Sequence, residues 1–325
     1  MPESILVTGG LGFLGSNLVQ ELLRQGYRVR IFAREPRRPH PDGAEVLWGD
    51  IRDREAVSRA ARGVDRIVHT VSNFRHGGSD AAEAAAINVG GTENVMQAAR
   101  EHGVRQLLHC STIGVHGSVL EIPANETTPF NPGDLYQSTK LEAERRVRRF
   151  AAETGLPVTV IRPISLFGPG DMRMLKLFRM IQRGRFVVVG DGRPYFQPAY
   201  IDDVVAGFLL CLRHPAALND VFIIGGDTYV PLNELFQLIA QELQVPPPRL
   251  RLPLAPVLAA AGWCEKLFAV IGREPPLHRR RVSFFQNNRA FSIAKARTVL
   301  GFEPRVSLVE AIRRTAQWYR GNGYL

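Results

Sequence analysis

The sequence places a tyrosine and a lysine where their side chains could act together on a proton. Tyr136 and Lys140 are four residues apart in the segment Tyr-Gln-Ser-Thr-Lys. This spacing puts both residues on one face of a helix, one turn apart. A phenol has an ordinary pKa of about 10, and a neighbouring ammonium lowers that pKa by favouring the phenolate. We therefore expect the Tyr136 hydroxyl to exchange a proton with an alcohol or ketone near neutral pH.

Two hydroxyl residues stand at the end of an apolar segment that reads as a strand. Ser111 and Thr112 directly follow residues 106–110. A hydroxyl there can donate a hydrogen bond to a substrate oxygen as charge develops on it. We expect Thr112, or Ser111 beside it, to fill this role.

A glycine-rich turn opens the chain. Gly9, Gly12 and Gly15 stand between an apolar strand at 5–7 and a segment of helical spacing at 16–23. A strand, a glycine turn and a helix N-terminus bind a pyrophosphate, because the unpaired N–H groups and the positive dipole end face the anion. Gly9 permits the tight exit from the strand, Gly12 lets the backbone approach the phosphates, and Gly15 lets the helix lie close to the sheet.

The end of the second strand bears on which dinucleotide is bound. An acidic residue there accepts hydrogen bonds from the adenosine ribose and selects NAD, whereas a basic one pairs with the 2′-phosphate of NADP. The strand Arg28–Ala33 is followed by Arg34, with Arg37 and Arg38 just beyond. Glu35 is the one carboxylate in this stretch. The pattern favours NADP(H), with NAD(H) as the alternative.

Strands and helices alternate along the first half of the chain. Further strands are predicted at 45–48, 66–70, 106–110, 157–161 and 221–224, and helices at 53–61, 80–101 and 134–153. This alternation predicts an α/β fold, a Rossmann-type doubly wound parallel sheet with ligands at its carboxyl edge. Gly90 and Gly91 inside the second of these helices predict a kink or a close backbone contact.

The pattern loosens after residue 165, which predicts two domains. Residues 1–165 are predicted to form the dinucleotide-binding domain, with parts of 196–226 returning to it. Residues 166–325 are predicted to form mainly a smaller C-terminal lobe that binds the substrate. Helices in this lobe are predicted at 232–243, 253–271, 293–300 and 307–320.

The composition is that of an ordinary globular protein, with 45% hydrophobic and 22% charged residues. The net charge of +10 comes almost entirely from arginine. Because the arginine clusters lack interleaved aromatic residues, we expect no nucleic acid partner. Cys110, Cys211 and Cys264 have neither disulfide nor metal spacing, so we expect a reducing compartment and no metal site. We expect no signal peptide before the first strand, and we therefore expect the protein to be cytoplasmic, or else membrane-associated.

Seven motifs, taken in order, resemble those of the extended short-chain dehydrogenase/reductase family, also called the NAD-dependent epimerase/dehydratase family. They follow the family's order through the first half of the chain, at residues 8–15, 50–51, 88–92, 111–112, 136–140, 162–163 and 167–171. The resemblance implies that Tyr136 is the catalytic acid or base and that Thr112 orients the substrate carbonyl. It implies that Lys140 holds the nicotinamide ribose and lowers the tyrosine pKa, and that Asn88 supports the sheet near the site. The predicted catalytic set is therefore Tyr136, Lys140, Thr112, Ser111 and Asn88.

The same resemblance assigns further residues to the cofactor. It implies that Asp50 and Ile51 line the adenine. The other predicted cofactor-binding residues are Gly9, Gly12, Phe13, Leu14, Gly15, Arg34, Lys140 and Pro163.

The C-terminal part is similar to the 3β-hydroxysteroid dehydrogenase-like branch of the family, in residues 263–266, 272–277, 291–296 and 300–304. The branch is implied to oxidise or reduce bulky, apolar alcohols and ketones. Nucleotide-sugar epimerases usually carry Asn where this chain has Ser165 and Arg where it has Phe196, and both differences weaken sugar-diphosphate binding. Arg193 can substitute for that arginine from a shifted position. We interpret His116 as a polar residue lining the site.

Three functions follow as hypotheses. The first is an NADP(H)-dependent oxidoreductase that transfers a hydride between the nicotinamide and a secondary alcohol or ketone of a bulky, largely apolar substrate, steroid-like or similar. The second is a nucleotide-sugar 4-epimerase or dehydratase with tightly bound NAD. The third is a non-catalytic cofactor-binding accessory protein, suggested by residues 196–203, although such members usually lack the tyrosine–lysine pair.

The expected partners are a small-molecule substrate and a second copy of the chain. The resemblance implies a homodimer through the helices at 80–101 and 134–153. The run 252–271 is apolar except for Glu265 and Lys266. We favour an amphipathic core helix of the lobe over peripheral membrane contact for this run. Its proline and its charges argue against a transmembrane span.

Overall fold

The computed structural model of the protein describes residues 2–34, 40–74, 81–270, 275–277 and 279–325. Some residues used above lie outside these ranges, namely Glu35, Arg37, Arg38, Asp80 and residues 271–274.

Most strands of the described chain belong to one large sheet. In chain order the strands are β1 (Ser4–Thr8), β2 (Arg28–Ala33), β3 (Glu45–Trp48), β4 (Arg66–His69), β5 (Gln106–Cys110), β6 (Val158–Pro163), β7 (Ser165–Phe167), β8 (Val188–Val189), β9 (Tyr195–Phe196), β10 (Pro198–Tyr200), β11 (Val221–Ile224), β12 (Val230–Pro231) and β13 (Arg251–Leu252). Within the described residues, seven of them form a sheet in the order β11-β6-β5-β4-β1-β2-β3. Every neighbouring pair in this sheet is parallel. The chain reverses its direction of winding between β1 and β4, as in a Rossmann-type sheet.

Helices connect these strands and cover both faces of the sheet. They are α1 (Phe13–Arg24), α2 (Arg54–Ala61), α3 (Ala81–Ala85), α4 (Gly91–Glu101), α5 (Leu135–Thr154), α6 (Met172–Gln182), α7 (Ile201–Arg213), α8 (Leu232–Glu242), α9 (Leu254–Val270), α10 (Arg279–Val282), α11 (Ala294–Leu300) and α12 (Leu308–Gly321). A π-helix spans Ala86–Gly90, and 3-10 helices span Ile113–His116, Pro215–Ala217 and Ser283–Phe285.

The central strands are buried on both faces, which explains their uninterrupted apolar sequences. Ile5, Leu6 and Val7 of β1 have no exposed surface, and burying each of them contributes about 2 kcal/mol. Side chains of α1 and α7 pack on one face of the sheet, and those of α2, α4 and α5 pack on the other. The predicted Rossmann-type α/β fold is confirmed.

The helix predicted at 80–101 is divided into three parts. The π-helix Ala86–Gly90 lies between α3 and α4, so one wide turn interrupts regular α-helix. A Cβ on Gly91 would lie 2.8 Å from Ile51 Cγ2, closer than real Cβ contacts. The predicted close backbone contact is therefore confirmed at Gly91.

The C-terminal half adds small pairings beside the main sheet. β7 pairs with β10, β9 with β12 and β8 with β13, while β11 returns to the main sheet next to β6. The core-helix interpretation of residues 253–271 is wrong, because α9 lies largely on the surface. Trp263 is 74% exposed and Leu267 is 65% exposed. Among the described residues, no helix combines the length and apolarity needed to cross a bilayer.

Candidate active site

The glycine turn leaves the N-terminus of α1 open. Gly9 has φ +76°, and a Cβ on Gly15 would lie 2.2 Å from the Gly9 carbonyl oxygen, so both positions exclude larger residues. Gly12 caps α1 without any side-chain hydrogen bond, and the first turn contains no acidic residue. A Cβ on Gly12 would meet one atom within 4 Å, the Gly9 oxygen at 3.2 Å. This uncapped, positive helix end fits the pyrophosphate of a dinucleotide.

The two residues after Gly12 face in different directions. The guanidinium of Arg173 lies 5.2 Å from the centre of the Phe13 ring, in a cation–π contact. Leu14 is buried in the core between α1 and the sheet. The predicted contact of Leu14 with a cofactor is therefore limited to its backbone.

The residues predicted for the adenine end lie after β2 and β3. Asp50 accepts hydrogen bonds from the Arg52 guanidinium at 3.0 and 2.6 Å. This guanidinium holds the Asp50 pKa below its ordinary value, and Arg34 adds to the lowering. Arg34 itself is exposed at the end of β2. Ile51 is buried, and its carbonyl accepts from Asn94 Nδ2 at 2.9 Å.

Tyr136 and Thr112 meet at the carboxyl edge of the sheet. The Asp134 carboxylate caps α5 by accepting from Gln137 N at 2.8 Å, which sets Tyr136 in the first helical turn. The Thr112 hydroxyl lies beside the Tyr136 phenol and acts to lower its pKa. Thr112 is fixed as well, because its Oγ1 accepts from Gly114 N at 3.0 Å. Two hydroxyls in this arrangement can both donate to one substrate oxygen.

The loop after β4 connects this pair to the glycine turn. Phe74 packs edge-on against the Tyr136 ring, with 4.8 Å between ring centres. At the other end of the loop, Val71 N lies 3.1 Å from the position of a Cβ on Gly9. Arg173, which stacks on Phe13, also lowers the Tyr136 pKa. The structure therefore brings Tyr136, Thr112 and the glycine turn together.

The predicted lowering of the Tyr136 pKa is wrong for the protein without a bound cofactor. Burial of the phenol raises the pKa above its ordinary value, and the Thr112 hydroxyl and the Arg173 charge offset only part of that rise. The Lys140 ammonium is not among the groups that lower it. Burial outweighs these neighbouring groups, because it penalises the phenolate directly.

Lys140 lies one turn after Tyr136 and is almost completely buried. Its Nζ donates to the Cys110 carbonyl oxygen at 2.6 Å. Burial lowers the Lys140 pKa, with Cys110 and Glu144 acting in the opposite direction. An ammonium has three protons, so two remain for other acceptors beside the end of β5.

Asn88 ties the π-helix to α5 and to the loop after β4. Its Oδ1 accepts from Asn73 N at 2.6 Å, and its Nδ2 donates to Thr139 Oγ1 at 2.9 Å. Thr139 in turn donates to the Tyr136 carbonyl at 3.0 Å. Asn88 thus holds the elements that carry Tyr136 and Phe74. Its side chain contacts neither the Tyr136 nor the Thr112 hydroxyl.

Ser111 does not join Tyr136, although it was predicted beside Thr112. Its hydroxyl donates to Glu144 Oε2 at 2.6 Å. Glu144 also accepts from Arg162 at 2.5 and 3.1 Å, and Arg162 Nη1 lies 3.0 Å from His116 Nε2. We call these four buried residues the arginine cluster. The interpretation of His116 as a lining residue is wrong, because its ring is buried between Phe130 and Phe291.

A second buried group lies on the other side of Lys140, and we call it the histidine row. It contains Thr8, His69, Thr92 and His109. Thr92 Oγ1 donates its one proton to the Asn88 carbonyl at 2.7 Å. The 3.0 Å contact with His69 Nε2 therefore requires that this nitrogen carries the imidazole proton. His69 Nδ1 then accepts from Thr8 Oγ1 at 2.7 Å.

The histidines of this row are neutral. Burial, together with the Lys140 charge, lowers the His69 pKa to about 3 and holds the His109 pKa well below its ordinary value. Neither ring nitrogen of His109 has a hydrogen-bond partner among the described residues. Sequence analysis missed this row, although histidines at the ends of two predicted strands were a signal of shared position. The last predicted cofactor residue, Pro163, ends β6 and is buried there.

The comparisons with known proteins agree with this geometry. A model of the NAD-dependent epimerase/dehydratase family matches residues 5–225. The chain belongs to this family. Within the family, it is 32% identical to a 3 beta-hydroxysteroid dehydrogenase/Delta 5→4-isomerase of Mycobacterium tuberculosis, over 97% of this chain and 90% of that protein. It is 30% identical to a 2-alkyl-3-oxoalkanoate reductase of Stenotrophomonas maltophilia, over 95% of this chain and 97% of that protein.

A solved epimerase has the same fold. The UDP-glucose 4-epimerase of Thermotoga maritima, crystallised with UDP-glucose, is 25% identical with a TM-score of 0.82, over 98% of this chain and 99% of that chain. The family is NAD-dependent, and relatives across nearly the full length are dehydrogenases and reductases. The protein is an NAD(P)-dependent oxidoreductase of the epimerase/dehydratase family.

Proposed function

We propose that the protein is an NADP(H)-dependent reductase or dehydrogenase acting on a secondary alcohol or ketone of a bulky, largely apolar substrate. The observation that carries this proposal is the placement of Tyr136 and Thr112 side by side, Thr112 fixed by Gly114 N and Tyr136 by the capped first turn of α5, with buried Lys140 one turn further on. These groups stand at the carboxyl edge of the sheet, next to the open N-terminus of α1. The small C-terminal lobe, residues 166–325, is proposed to bind the substrate over this edge.

The cofactor is proposed to lie along the carboxyl edge from the glycine turn to Lys140. Phe13, Leu14 and Gly15 would hold the pyrophosphate through the N–H groups of the first turn of α1, with Asp50 and Ile51 at the adenine. Gly9 and Gly12, whose own N–H groups donate to Phe32 O and Gly9 O, would let the backbone approach the phosphates. Lys140 would hold the nicotinamide ribose through its remaining N–H groups, near Pro163. When bound, the nicotinamide supplies or accepts the hydride.

Arg34 supports NADP as the preferred form. It is exposed at the end of β2, where a 2′-phosphate is bound in this type of fold. Its charge reaches Asp50 and lowers the pKa of that carboxyl. We expect Arg34→Asp to weaken NADPH binding by about tenfold or more while leaving NADH binding little changed. Binding of each cofactor by fluorescence titration measures this, and equal losses for both would contradict it.

Tyr136 is proposed as the proton donor in reduction. Its raised pKa keeps the phenol protonated at neutral pH, which is the form that can give a proton to a carbonyl oxygen. Thr112 would donate a hydrogen bond to the same oxygen. In the reverse direction Tyr136 must first lose its proton, so alcohol oxidation should speed up as the pH rises above neutral.

Ser111 and Asn88 are proposed to support the site through other residues. Ser111 holds the end of β5 to α5 through Glu144, and Asn88 fixes the turn that carries Tyr136. Neither is proposed to touch the reacting oxygen.

The apolar substrate class is supported by Phe196 and by the relatives. Phe196 is buried and packs edge-on against Phe284, with ring centres 5.3 Å apart. It stands where nucleotide-sugar epimerases carry a diphosphate-binding arginine. Arg193, the alternative clamp, is exposed and lies 3.7 Å from Asp191. The relatives include a steroid dehydrogenase and an alkyl-oxoalkanoate reductase, and both names describe largely apolar substrates.

A nucleotide-sugar epimerase or dehydratase with tightly bound NAD is the second candidate. The match to a UDP-glucose 4-epimerase over nearly the whole chain favours it. The two candidates differ in their cofactor, because an epimerase should be purified with NAD bound, whereas a reductase should bind added NADPH reversibly. The homodimer implied by the family resemblance stays a prediction under either candidate.

The decisive experiment is NADPH oxidation by the full-length protein with steroid, β-keto acyl, flavonoid and sugar-nucleotide carbonyls. We expect turnover of an apolar ketone, with kcat reduced by about 1,000-fold in Tyr136→Phe. Tyr27→Phe is the matched control, because this tyrosine precedes β2, at the amino end of the strand and away from the carboxyl edge, and it should keep the activity. Turnover confined to sugar nucleotides would replace the proposal with the second candidate, and unchanged turnover in Tyr136→Phe would remove Tyr136 from it.

A further inference from the structure

Helix α9 is apolar around most of its circumference and yet lies on the surface. Its sequence from Leu254 to Val270 has Glu265 and Lys266 as its charged residues. Within its described side chains, Ala261 and Gly262 are buried, whereas Trp263 and Leu267 are among the most exposed large hydrophobic residues of the described chain. An ordinary surface helix turns polar residues toward water. The exposed side of α9 therefore needs a partner that is not water.

The exposed residues form a single stripe along the helix. All are exposed, and each lies three or four residues from another member, so they share one helix face: Pro256, Ala259, Ala260, Trp263 and Leu267. The stripe continues toward the N-terminus in Leu250 and Leu252, which are also exposed. On the opposite side, Gly262 packs against the Arg279 side chain. The stripe thus faces outward from the lobe.

Basic residues stand at both ends of this stripe. Arg249 and Arg251 are exposed before α9 begins. Near its other end, Lys266 lies 5.5 Å from the Trp263 ring and is exposed. The one acidic residue, Glu265, accepts from Arg279 N at 2.7 Å and lies 3.8 Å from its guanidinium. An apolar stripe with basic ends and a tryptophan matches an anionic lipid surface, where apolar side chains enter the acyl boundary and cations meet the phosphates.

The same charges disfavour a second copy as the occupant. If two copies met through this stripe, either relative direction of the helices would place basic ends beside basic ends. The protein also carries a net charge of +10, which attracts it to anionic membranes and separates copies of itself. We propose that α9 docks the protein onto the surface of an anionic bilayer, lying in the plane of the interface without crossing it.

Vesicle flotation of the full-length protein tests this proposal. We expect binding to phosphatidylcholine–phosphatidylglycerol vesicles, weaker binding to pure phosphatidylcholine, and loss of binding as salt increases. Trp263→Glu/Leu267→Glu should reduce binding by about tenfold or more, because both side chains leave the acyl boundary. Leu120→Glu/Val309→Glu is the matched control, since both residues are exposed elsewhere, and it should bind as the wild type does. Arg249→Glu/Lys266→Glu, which leaves the apolar stripe intact, should weaken binding to the anionic vesicles alone.

Thermal unfolding and NADPH binding of each variant establish that the fold is kept. Absence of binding to anionic vesicles would overturn the proposal, as would equal binding by the wild type and Trp263→Glu/Leu267→Glu. Light scattering measures the oligomeric state and so tests whether a second copy of the chain occupies the stripe instead of a membrane. A wild-type dimer that dissociates in Trp263→Glu/Leu267→Glu would place a second copy on the stripe and would also overturn it.

Discussion

The arginine cluster and the histidine row flank Lys140, and they differ in the protonation state of their buried groups. The first contains charged side chains, and the second contains neutral ones. In the arginine cluster, a full positive and a full negative charge are buried together, with Arg162 and Glu144 joined by two hydrogen bonds. In the histidine row, His69 and His109 are kept neutral by burial and by the Lys140 charge. The histidine row contains no carboxylate, so no protonated imidazole could be compensated there.

The difference teaches what decides the protonation state of a buried group. Burying an ion costs several kcal/mol unless an opposite charge and further hydrogen bonds offset the lost hydration. Glu144 has both, from Arg162 and Ser111. A protonated His109 would have neither, and it would add a second positive charge beside Lys140 in a medium of low dielectric.

Breaking the arginine cluster should give the largest effect. Arg162→Met leaves the Glu144 carboxylate buried without its cation, and we expect the free energy of unfolding to fall by about 3–5 kcal/mol. Urea unfolding followed by circular dichroism measures this. In the double variant Arg162→Met/Glu144→Leu, most of the loss should be recovered. A double variant as unstable as the single one would mean that the charge is not the cause.

The next largest effect should come from removing the Thr112 hydroxyl, whereas removing the neighbouring Ser111 hydroxyl should change kcat/KM little. Thr112→Val removes the hydroxyl that lies beside the Tyr136 phenol, and we expect kcat/KM for ketone reduction to fall about 100-fold. Ser111→Ala removes a hydroxyl that serves Glu144, so kcat/KM should stay within about threefold of the wild type. Steady-state kinetics of the two variants test the contrast. The reverse order of effects would put Ser111 at the substrate.

The histidine row should make the protein sensitive to acid. The pKa of His109 is lowered in the folded protein and close to 6.5 in the unfolded chain, so the unfolded chain takes up the proton first. The stabilising contribution is therefore complete above about pH 6.5 and is lost as the pH falls, at about 1.4 kcal/mol per pH unit.

Comparing wild type and His109→Leu by urea unfolding isolates this contribution. The stability difference in favour of the variant should grow by about 2 kcal/mol between about pH 6.5 and about pH 5. His40→Leu, at an exposed histidine, should leave the pH dependence unchanged. Parallel curves for wild type and His109→Leu would show that His109 is not the titrating group.

At neutral pH the same variant should give the smallest effect. Both nitrogens of His109 lack partners among the described residues, and replacing an unsatisfied polar group by an apolar one removes its desolvation cost. We expect His109→Leu to raise the free energy of unfolding by about 1 kcal/mol at pH 7. A loss of stability would indicate that the imidazole has a partner, such as a bound water.

Local patterns predicted the parts of the site that depend on neighbours in sequence. The glycine turn is fixed by the strand before it and the helix after it, and Tyr136 and Lys140 by helical spacing. Such patterns do not distinguish Ser111 from Thr112. Adjacent residues on an extended chain point to opposite sides, so the sequence indicates that one of them faces the site without indicating which.

Features that depend on burial could not be read from the sequence. The Tyr136 pKa rises because the phenol is buried, and Phe74, which is distant in sequence, packs against its ring. Glu144 and Arg162 are 18 residues apart and meet only because α5 packs against β6. For α9, an apolar composition predicted a core helix, since sequence gives the hydrophobicity of a segment but not what covers it.

In the π-helix at Ala86–Gly90, the number of residues matters as much as their types. This wide turn accommodates one residue more than an α-helical turn, and within it Asn88 reaches both Asn73 and Thr139. Deleting a single residue here would rotate everything on one side of the turn by about 100° around the helix axis. Asn88 would then no longer point toward both Asn73 and Thr139. In chimeras between this enzyme and its relatives, the length of this segment must therefore be kept even where its residue types are exchanged.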